Sequence, residues 1–489
     1  LGNPPFVGAK FQSGEQREDM AVVAGGVKSA GLLDYVTAWY FKAAEFIKGT
    51  PIRVGFVSTN SITQGEQAGV LWNALFAQGM KIIFGHRTFA WQSEARGKAH
   101  GHVVIIGFAE TFSGTRRIYE EAEGVATVTP AKNISPYLIE GPDTVILNRS
   151  KPLCDVPEIG IGNKPIDGGN YLFTADEKAA FLVAEPDAEP YFRRWLGSEE
   201  FINGIERWCL LLKECPPGLL RQMPEALKRV EAVRAFRLAS KSLPTRKLAK
   251  TPTRFHVENF PAGNFLVVPG VSSERRPYIP IGYLTPGNVA SNLLNVIPNA
   301  TLYHFGVLTS AMHMAWVRQV CGRLKSDYRY SNKLVYNNFP WPRLSLSGYD
   351  AAVPVGDASC VREAAARIYW SSYHDGPWDE DDEQARKAAA RRIPLTPDGK
   401  KAAAVEKAAQ AVLDVRARYA TSTLADLYDP LTMPSELMKA HVALDRAVDR
   451  CYRAAPFTSD RQRVEFLFAL YESISAPLLP PEKKGRGRK

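Results

Sequence analysis

The sequence predicts an α/β layer at its start, an α+β body in its middle and a helical end. Three observations predict this. Strand-sized apolar runs alternate with helix-period segments over roughly the first 110 residues. From about Pro130, short apolar runs are broken by Pro152, Pro157, Gly160, Gly162, Pro165, Gly168 and Gly169. Beyond residue 344 the chain turns to Ala-, Lys-, Glu- and Arg-rich helical patterns. A chain of 489 residues exceeds a single core. The expected units are 1–125, 126–343 and 344–489.

Taken in order, Asn3-Pro4-Pro5-Phe6 opens the chain and a polar, glycine-bearing stretch follows. Leu33, Val36, Tyr40, Ala43, Ala44 and Ile47 recur at helical spacing and predict a helix over 32–47. Residues 52–57 read as a strand ending in Ser58-Thr59-Asn60, and 64–78 as a second helix. Strands are expected at 81–84 and 102–108, antiparallel across a loop from Gly85 to Gly101. In the middle, helices are expected at 176–185, 198–212, 224–238 and 312–324. A β-rich piece should run from Phe255 to Tyr283, and an aromatic strand-and-turn from Tyr328 to Pro342. At the end, 385–392, 400–419 and the segment opened by Pro434 read as helices, followed by a basic tail.

Composition narrows the function. The net charge of +10 favours a polyanionic partner, by neutralisation and counterion release. No apolar run reaches membrane-spanning length, and the first residues lack a signal-peptide pattern; a cytoplasmic protein is expected. Cys154, Cys209, Cys215, Cys321, Cys360 and Cys451 form no CxxC pair, which argues against zinc and against a disulfide framework. No metal site is expected. His100 and His102 share a strand face, an arrangement more often structural than metal-binding. The glycines at 160–169 lack the strand–helix frame and closing Lys-Ser/Thr of a phosphate loop and read as turns. Glu482-Lys483-Lys484 has the form of a nuclease Glu-x-Lys but lacks an upstream acidic strand.

The chemistry is concentrated in Asn3-Pro4-Pro5-Phe6. An exocyclic amino group on a base is conjugated and barely nucleophilic. Two hydrogen-bond acceptors on its two hydrogens push the nitrogen towards sp³ and localise its lone pair. Asn3 Oδ1 and the Pro4 carbonyl supply such acceptors without a charge to desolvate. Pro4 and Pro5 fix φ and hold them rigid. Phe6 offers a face on which a flipped-out base can stack. The four residues resemble motif IV of the amino-methyltransferases, and the helix–strand–helix–strand–loop–strand order fits the C-terminal half of a Rossmann-like methyltransferase sheet. In that resemblance Phe89, with Trp91 as second candidate, supplies the other stacking aromatic from Thr88-Phe89-Ala90-Trp91.

Longer strings resemble the MmeI-like enzymes, single-chain restriction–modification proteins, over nearly the whole chain. They include Gly2-Asn3-Pro4-Pro5-Phe6-Val7-Gly8-Ala9-Lys10, Phe89-Ala90-Trp91 followed by Gly97-Lys98-Ala99, and Lys164-Pro165-Ile166-Asp167-Gly168-Gly169-Asn170-Tyr171. Ser272-Ser273-Glu274-Arg275-Arg276-Pro277-Tyr278 and Leu324-Lys325-Ser326-Asp327-Tyr328-Arg329 look like the family's target-recognition domain. Leu427-Tyr428-Asp429-Pro430 and Leu444-Asp445-Arg446-Ala447-Val448-Asp449 look like its C-terminal helical domain.

The resemblance implies S-adenosyl-L-methionine as methyl donor, adenine N6 as acceptor and a short site in double-stranded DNA. It also implies a donor-binding glycine loop and a nuclease upstream of the motif. Only two residues precede Asn3, so the chain is expected to be a carboxy-terminal part that alone neither methylates nor cuts. The charged stretch from Glu363 to Tyr419 has no assignment.

For recognition, Lys and Arg crowd 193–250, Arg229, Arg237 and Lys250 among them. Glu274 and Arg276, on one face if extended, could read cytosine and guanine edges, or form an ion pair. Arg323, Lys325 and Arg329 are candidates for phosphate contacts. No protein partner is evident. Two other readings stay open. A protein-glutamine methyltransferase shares the Asn-Pro-Pro-aromatic loop but is small; a non-enzymatic DNA-specificity module would work with a separate catalytic partner.

Overall fold

The computed structural model describes residues 1–91, 101–122, 124–344 and 397–475. Expectations on Gly97-Lys98-Ala99, His100, Cys360, the helix at 385–392, the charged stretch before residue 397 and the Glu482-Lys483-Lys484 tail lie outside the described residues.

The first body contains helices α1 (Gly14–Ala24), α2 (Thr37–Ile47) and α3 (Gly65–Ala77). Its strands are β1 (Val54–Thr59), β2 (Lys81–Trp91), β3 (Gly101–Ala109), β4 (Arg116–Ala122) and β5 (Val125–Ala131), in sheet order β1-β3-β2-β4-β5. Gly2 bridges Phe56 in parallel, placing the line of the opening motif beside β1. β3 is antiparallel to both β1 and β2, so Gly2, β1 and β2 run the same way. That is the strand pattern of the second half of a Rossmann-like methyltransferase sheet. β5 carries the sheet on to Ala131, past residue 125.

Packing explains the order. Tyr40 of α2 stacks on Phe108 of β3 at 5.3 Å, and Trp72 of α3 meets both edge-on. Gly107 is required here: a Cβ would stand 2.0 Å from the Phe84 ring.

Several elements differ from the sequence reading, two of them in segments close to the opening motif and the cleft edge. α1 forms where a polar stretch was expected, because Ser13 and Gln16 build a reciprocal capping box while only Met20 and Ala24 are buried. Thr88-Phe89-Ala90-Trp91 is strand rather than loop. β2 pairs with β3 all the way from Lys81 opposite Ala109 to Trp91 opposite Gly101, with irregularities between Ile82 and Phe84 and between His86 and Phe89.

In the middle body, the helix Pro224–Leu238 falls where expected and Ala175–Ala184 lies within one residue. The helix expected over 198–212 stops at Asn203. Gly204 takes φ +67° as its cap, and the chain re-enters as the strand Trp208–Leu210. The helix expected over 312–324 is Ala311–Val320, followed by a hairpin of strands Gly322–Leu324 and Asp327–Arg329. The aromatic segment after it closes as a short π-helical turn, Asn332–Tyr336. Gly160–Ile161 is a strand edge, not a turn, whereas Gly168 and Gly169 turn at positive φ.

The last helices are Pro397–Arg418, Leu424–Leu427, Ser435–Tyr452 and Asp460–Ser475. They share one apolar core with the helices Leu302–Leu308 and Ala311–Val320 of the middle body. A Cβ on Gly306 would sit 2.7 Å from Val405 Cγ1, so glycine sets that close approach. Trp316 packs against Phe468 and Tyr471 at 5.4 and 6.0 Å. Among the described residues no helix is long and apolar enough to cross a membrane.

Candidate functional site

Asn3 leaves the sheet directly after Gly2, which is clamped to β1 by Gly2 N–H donating to the Gly55 carbonyl and Val57 N–H donating to the Gly2 carbonyl, both at 3.0 Å. The far end of the loop is fixed as well. Asp34 Oδ1 accepts from Val7 N–H and Val36 N–H at 3.0 Å, and Tyr35 N–H donates to the Val7 carbonyl at 2.9 Å. Burial pushes the Asp34 carboxyl upward, against those two backbone hydrogen bonds. Between these anchors Asn3 is exposed, Pro4 buried and Phe6 41% exposed. The loop, anchored at both ends, leaves Asn3 and Phe6 at the surface.

The motif emerges at the carboxyl edge of the parallel strands, the edge where open α/β sheets bind ligands. Thr59 of β1 is level with Val103 of β3, and Val103 with Phe89 of β2, so Phe89 reaches that same edge. Three strand spacings, about 14 Å, separate its strand from the Gly2 line. The Phe89 ring meets His86 edge-on at 4.6 Å. The Trp91 backbone closes the ladder opposite Gly101.

Facing this edge is a polar cleft of about 250 Å³ between the sheet and the middle body. The sheet contributes Asn60 and Gln64 after β1, Arg87 and Thr88 of β2, His102 of β3 and Glu120 of β4. Glu274, Arg318, Gln319, Arg323, Lys325 and Ser326 form the opposite wall. Arg87 crosses between the walls, bonding Glu120 Oε1 at 2.8 Å and Gln319 Oε1 at 3.3 Å. Gln319 Nε2 in turn donates to the Tyr137 carbonyl at 2.5 Å.

Of the five proposed DNA contacts, Glu274, Arg323 and Lys325 line this cleft. Lys325 stands exposed in the hairpin turn at φ +58°. Arg323 stacks over Tyr328 at 4.1 Å and donates to the Ser326 carbonyl, which aims it along the turn. Glu274 and Arg276 do not share an extended face, because 274–275 is a turn. Arg276 folds back towards Ser272 Oγ at 3.4 Å and is half-buried, and that burial lowers its pKa. Arg329 is exposed on its strand, outside the cleft lining.

One basic residue of 193–250 is no surface cation at all. Arg237 is fully buried, and its guanidinium donates to the carbonyls of Pro165, Ile166, Leu248, Thr251 and Arg254 at 2.8–3.0 Å. It pins the Lys164–Tyr171 segment to the loop after the helix Pro224–Leu238. Asn60, Gln64, Arg87 and Gln319 were not singled out from sequence. Only the polar end of β1, Ser58-Thr59-Asn60, carried a signal.

Among the described residues no His/Cys/Asp/Glu group could hold a metal ion, and Cys154, Cys209, Cys215, Cys321 and Cys451 are free thiols.

Comparison with known proteins gives a consistent set of similarities. Family models described as MmeI DNA-methyltransferase domain, MmeI target recognition domain and MmeI C-terminal domain match residues 1–120, 140–343 and 397–479. The chain is 38% identical over 475 residues to DNA methyltransferase A of Bacillus subtilis (strain 168), covering 97% of this chain and 48% of that protein. It superposes on the type IIL restriction–modification enzyme MmeI, solved in complex with DNA, with a TM-score of 0.79 and 42% identity. That match covers 97% of this chain and 57% of the solved one. The chain therefore spans about half the length of these relatives. Sheet direction, motif position and all three domain matches agree: this chain belongs to the MmeI family.

Proposed function

We propose that this chain is the catalytic-loop and specificity portion of a site-specific DNA methyltransferase in a restriction–modification system, acting on adenine N6. The observation that carries this is Asn3, held rigid and exposed at the carboxyl edge of a methyltransferase sheet whose neighbouring cleft is walled by a target recognition domain. S-adenosyl-L-methionine, when bound, supplies a methyl group on a positively charged sulfur that leaves as a neutral thioether. Among the described residues no glycine-rich loop joins a strand to a helix to hold that donor. What this chain supplies is the acceptor side.

Asn3 Oδ1 and the Pro4 carbonyl accept the two N6 hydrogens of a flipped-out adenine. The nitrogen becomes more pyramidal, and its lone pair points at the incoming methyl. After transfer, the positively charged nitrogen gives up one hydrogen to water. Because Gly2 and Val7 are anchored from both sides, the acceptors are in place before the base arrives and reorganise little. Phe6 stacks on the base, and Phe89 or Trp91 closes over it from β2. Glu274, Arg276, Arg323, Lys325 and Arg329 are proposed to meet the duplex, Lys325 by a direct phosphate contact.

The test is Asn3→Ala in the gene product that carries this chain. The expected result is a loss of methyl transfer of about 10²-fold or more, with duplex affinity within about threefold of the parent. Equal losses of affinity and transfer would remove Asn3 from the chemistry.

A further inference from the structure

A second cationic surface lies outside the cleft. A groove of about 460 Å³ runs between the helices Pro397–Arg418 and Ser435–Tyr452, with Lys400, Lys401, Arg446 and Arg450 along it. Its floor is made of small residues, Ala404, Ala443 and Ala447, so an anion can approach both helix backbones closely. Lys401 pairs with Asp398 at 2.9 Å, which offsets one charge. Among the described residues no carboxylate pairs with Lys400, Arg446 or Arg450.

Arg450 lies in the last turn of its helix, where the macrodipole favours a cation, but the other placements oppose helix physics. Lys400 and Lys401 stand near the first turn of their helix, where the macrodipole disfavours cations. Arg446 and Arg450 are one turn apart on an exposed face, where like charges repel. The same helix turns Leu444, Asp445, Val448 and Asp449 inward. Asp449 already bonds Arg463 and Asp445 bonds Tyr278 on the other side of the helix, and Glu436 in its first turn pairs with Arg418. An external polyanion relieves both repulsions.

We infer that this groove binds the phosphate backbone of duplex DNA beyond the recognition cleft, as a sequence-independent clamp. The inference rests on the DNA-binding reading above. Its location fits. Tyr278, four residues after Glu274, bonds the residue adjacent to Arg446, so at most about 14 Å of chain and one helix diameter of about 10–12 Å separate cleft wall from groove. A duplex leaving the cleft passes the groove within about one helical turn.

The experiment compares the full chain with Arg446→Gln/Arg450→Gln by fluorescence anisotropy. The probes are mixed-sequence duplexes of about 40 and about 12 base pairs, over a range of salt concentrations. On the long duplex, the double variant should lose about two units of the log–log salt slope, one per lost phosphate contact. Its affinity for that duplex should fall about tenfold, and affinity for the short duplex should hold. Arg446→Lys/Arg450→Lys should restore the slope, and a thermal melt checks that each variant folds. An unchanged slope in a variant of unchanged melting temperature, or tighter binding, would overturn the clamp. A parent chain that binds neither duplex would overturn the DNA-binding reading and the clamp with it. A parent that binds both with equal slope would overturn the clamp alone.

Discussion

The role proposed for Asn3 can be read from the sequence because it needs only four consecutive residues: an amide acceptor, two prolines that fix φ and an aromatic face. Arg237 misleads for the complementary reason. Its sequence neighbourhood is basic and looks like a phosphate-binding surface, yet its five donors are spent on backbone carbonyls that only the fold brings together. Replacing it with methionine keeps apolar volume and removes all five donors. Arg237→Met should destabilise the middle body by roughly 3–5 kcal/mol, read from urea unfolding followed by tryptophan fluorescence. A loss below about 1 kcal/mol would show that water reaches those carbonyls and that the arginine is not the pin described here. Asn60, Gln64, Arg87 and Gln319 are illegible for a third reason: they come from distant segments, and no local pattern marks a cleft wall.

Among elements, signals of capping and termination are present but outweighed by periodicity. Ser13 and Gln16 announce α1, though its polar and apolar residues fall in two consecutive blocks and mark no single face. Gly204 announces the end of the helix at Asn203, though apolar residues continue at helical spacing to Leu212. The joint between the middle and last helices has a pH signature. Burial pushes the Asp445 carboxyl up to about 6, against hydrogen bonds donated by Tyr278 Oη–H and Ala311 N–H, each 2.6 Å long. A carboxyl whose folded-state pKa lies above its unfolded value holds its proton more tightly when folded. Its contribution is complete below about pH 4 and is lost as pH rises through about 6. The stability of the parent chain minus that of Asp445→Asn should therefore fall by about 2–3 kcal/mol between pH 4 and pH 7. A difference constant over that range would mean the carboxyl is not desolvated in the folded chain.

For the whole molecule, the sequence marks three units, and the structure binds two of them into one core. Val405, Leu444 and Leu467 bury against the helices that precede the hairpin at 322–329, and Arg416 Nη1 donates to the Ile281 carbonyl at 2.6 Å. Composition separates these regions because the last helices are charged on their outer faces. Their inner faces become visible only once the partner helices are placed. Removing residues 397–489 should thus cost the middle body its cooperative thermal transition, seen by calorimetry. A truncated chain melting cooperatively at the parent temperature would show the C-terminal helices to be an independent unit.

The central claim is the chemistry at Asn3. Its most direct test is methyl transfer from labelled S-adenosyl-L-methionine to mixed-sequence duplex DNA by the gene product that carries this chain, followed by mass analysis of the nucleosides. N6-methyladenine that disappears in Asn3→Ala is the predicted result. Label on cytosine or in protein, or N6-methyladenine that persists in Asn3→Ala, would contradict it.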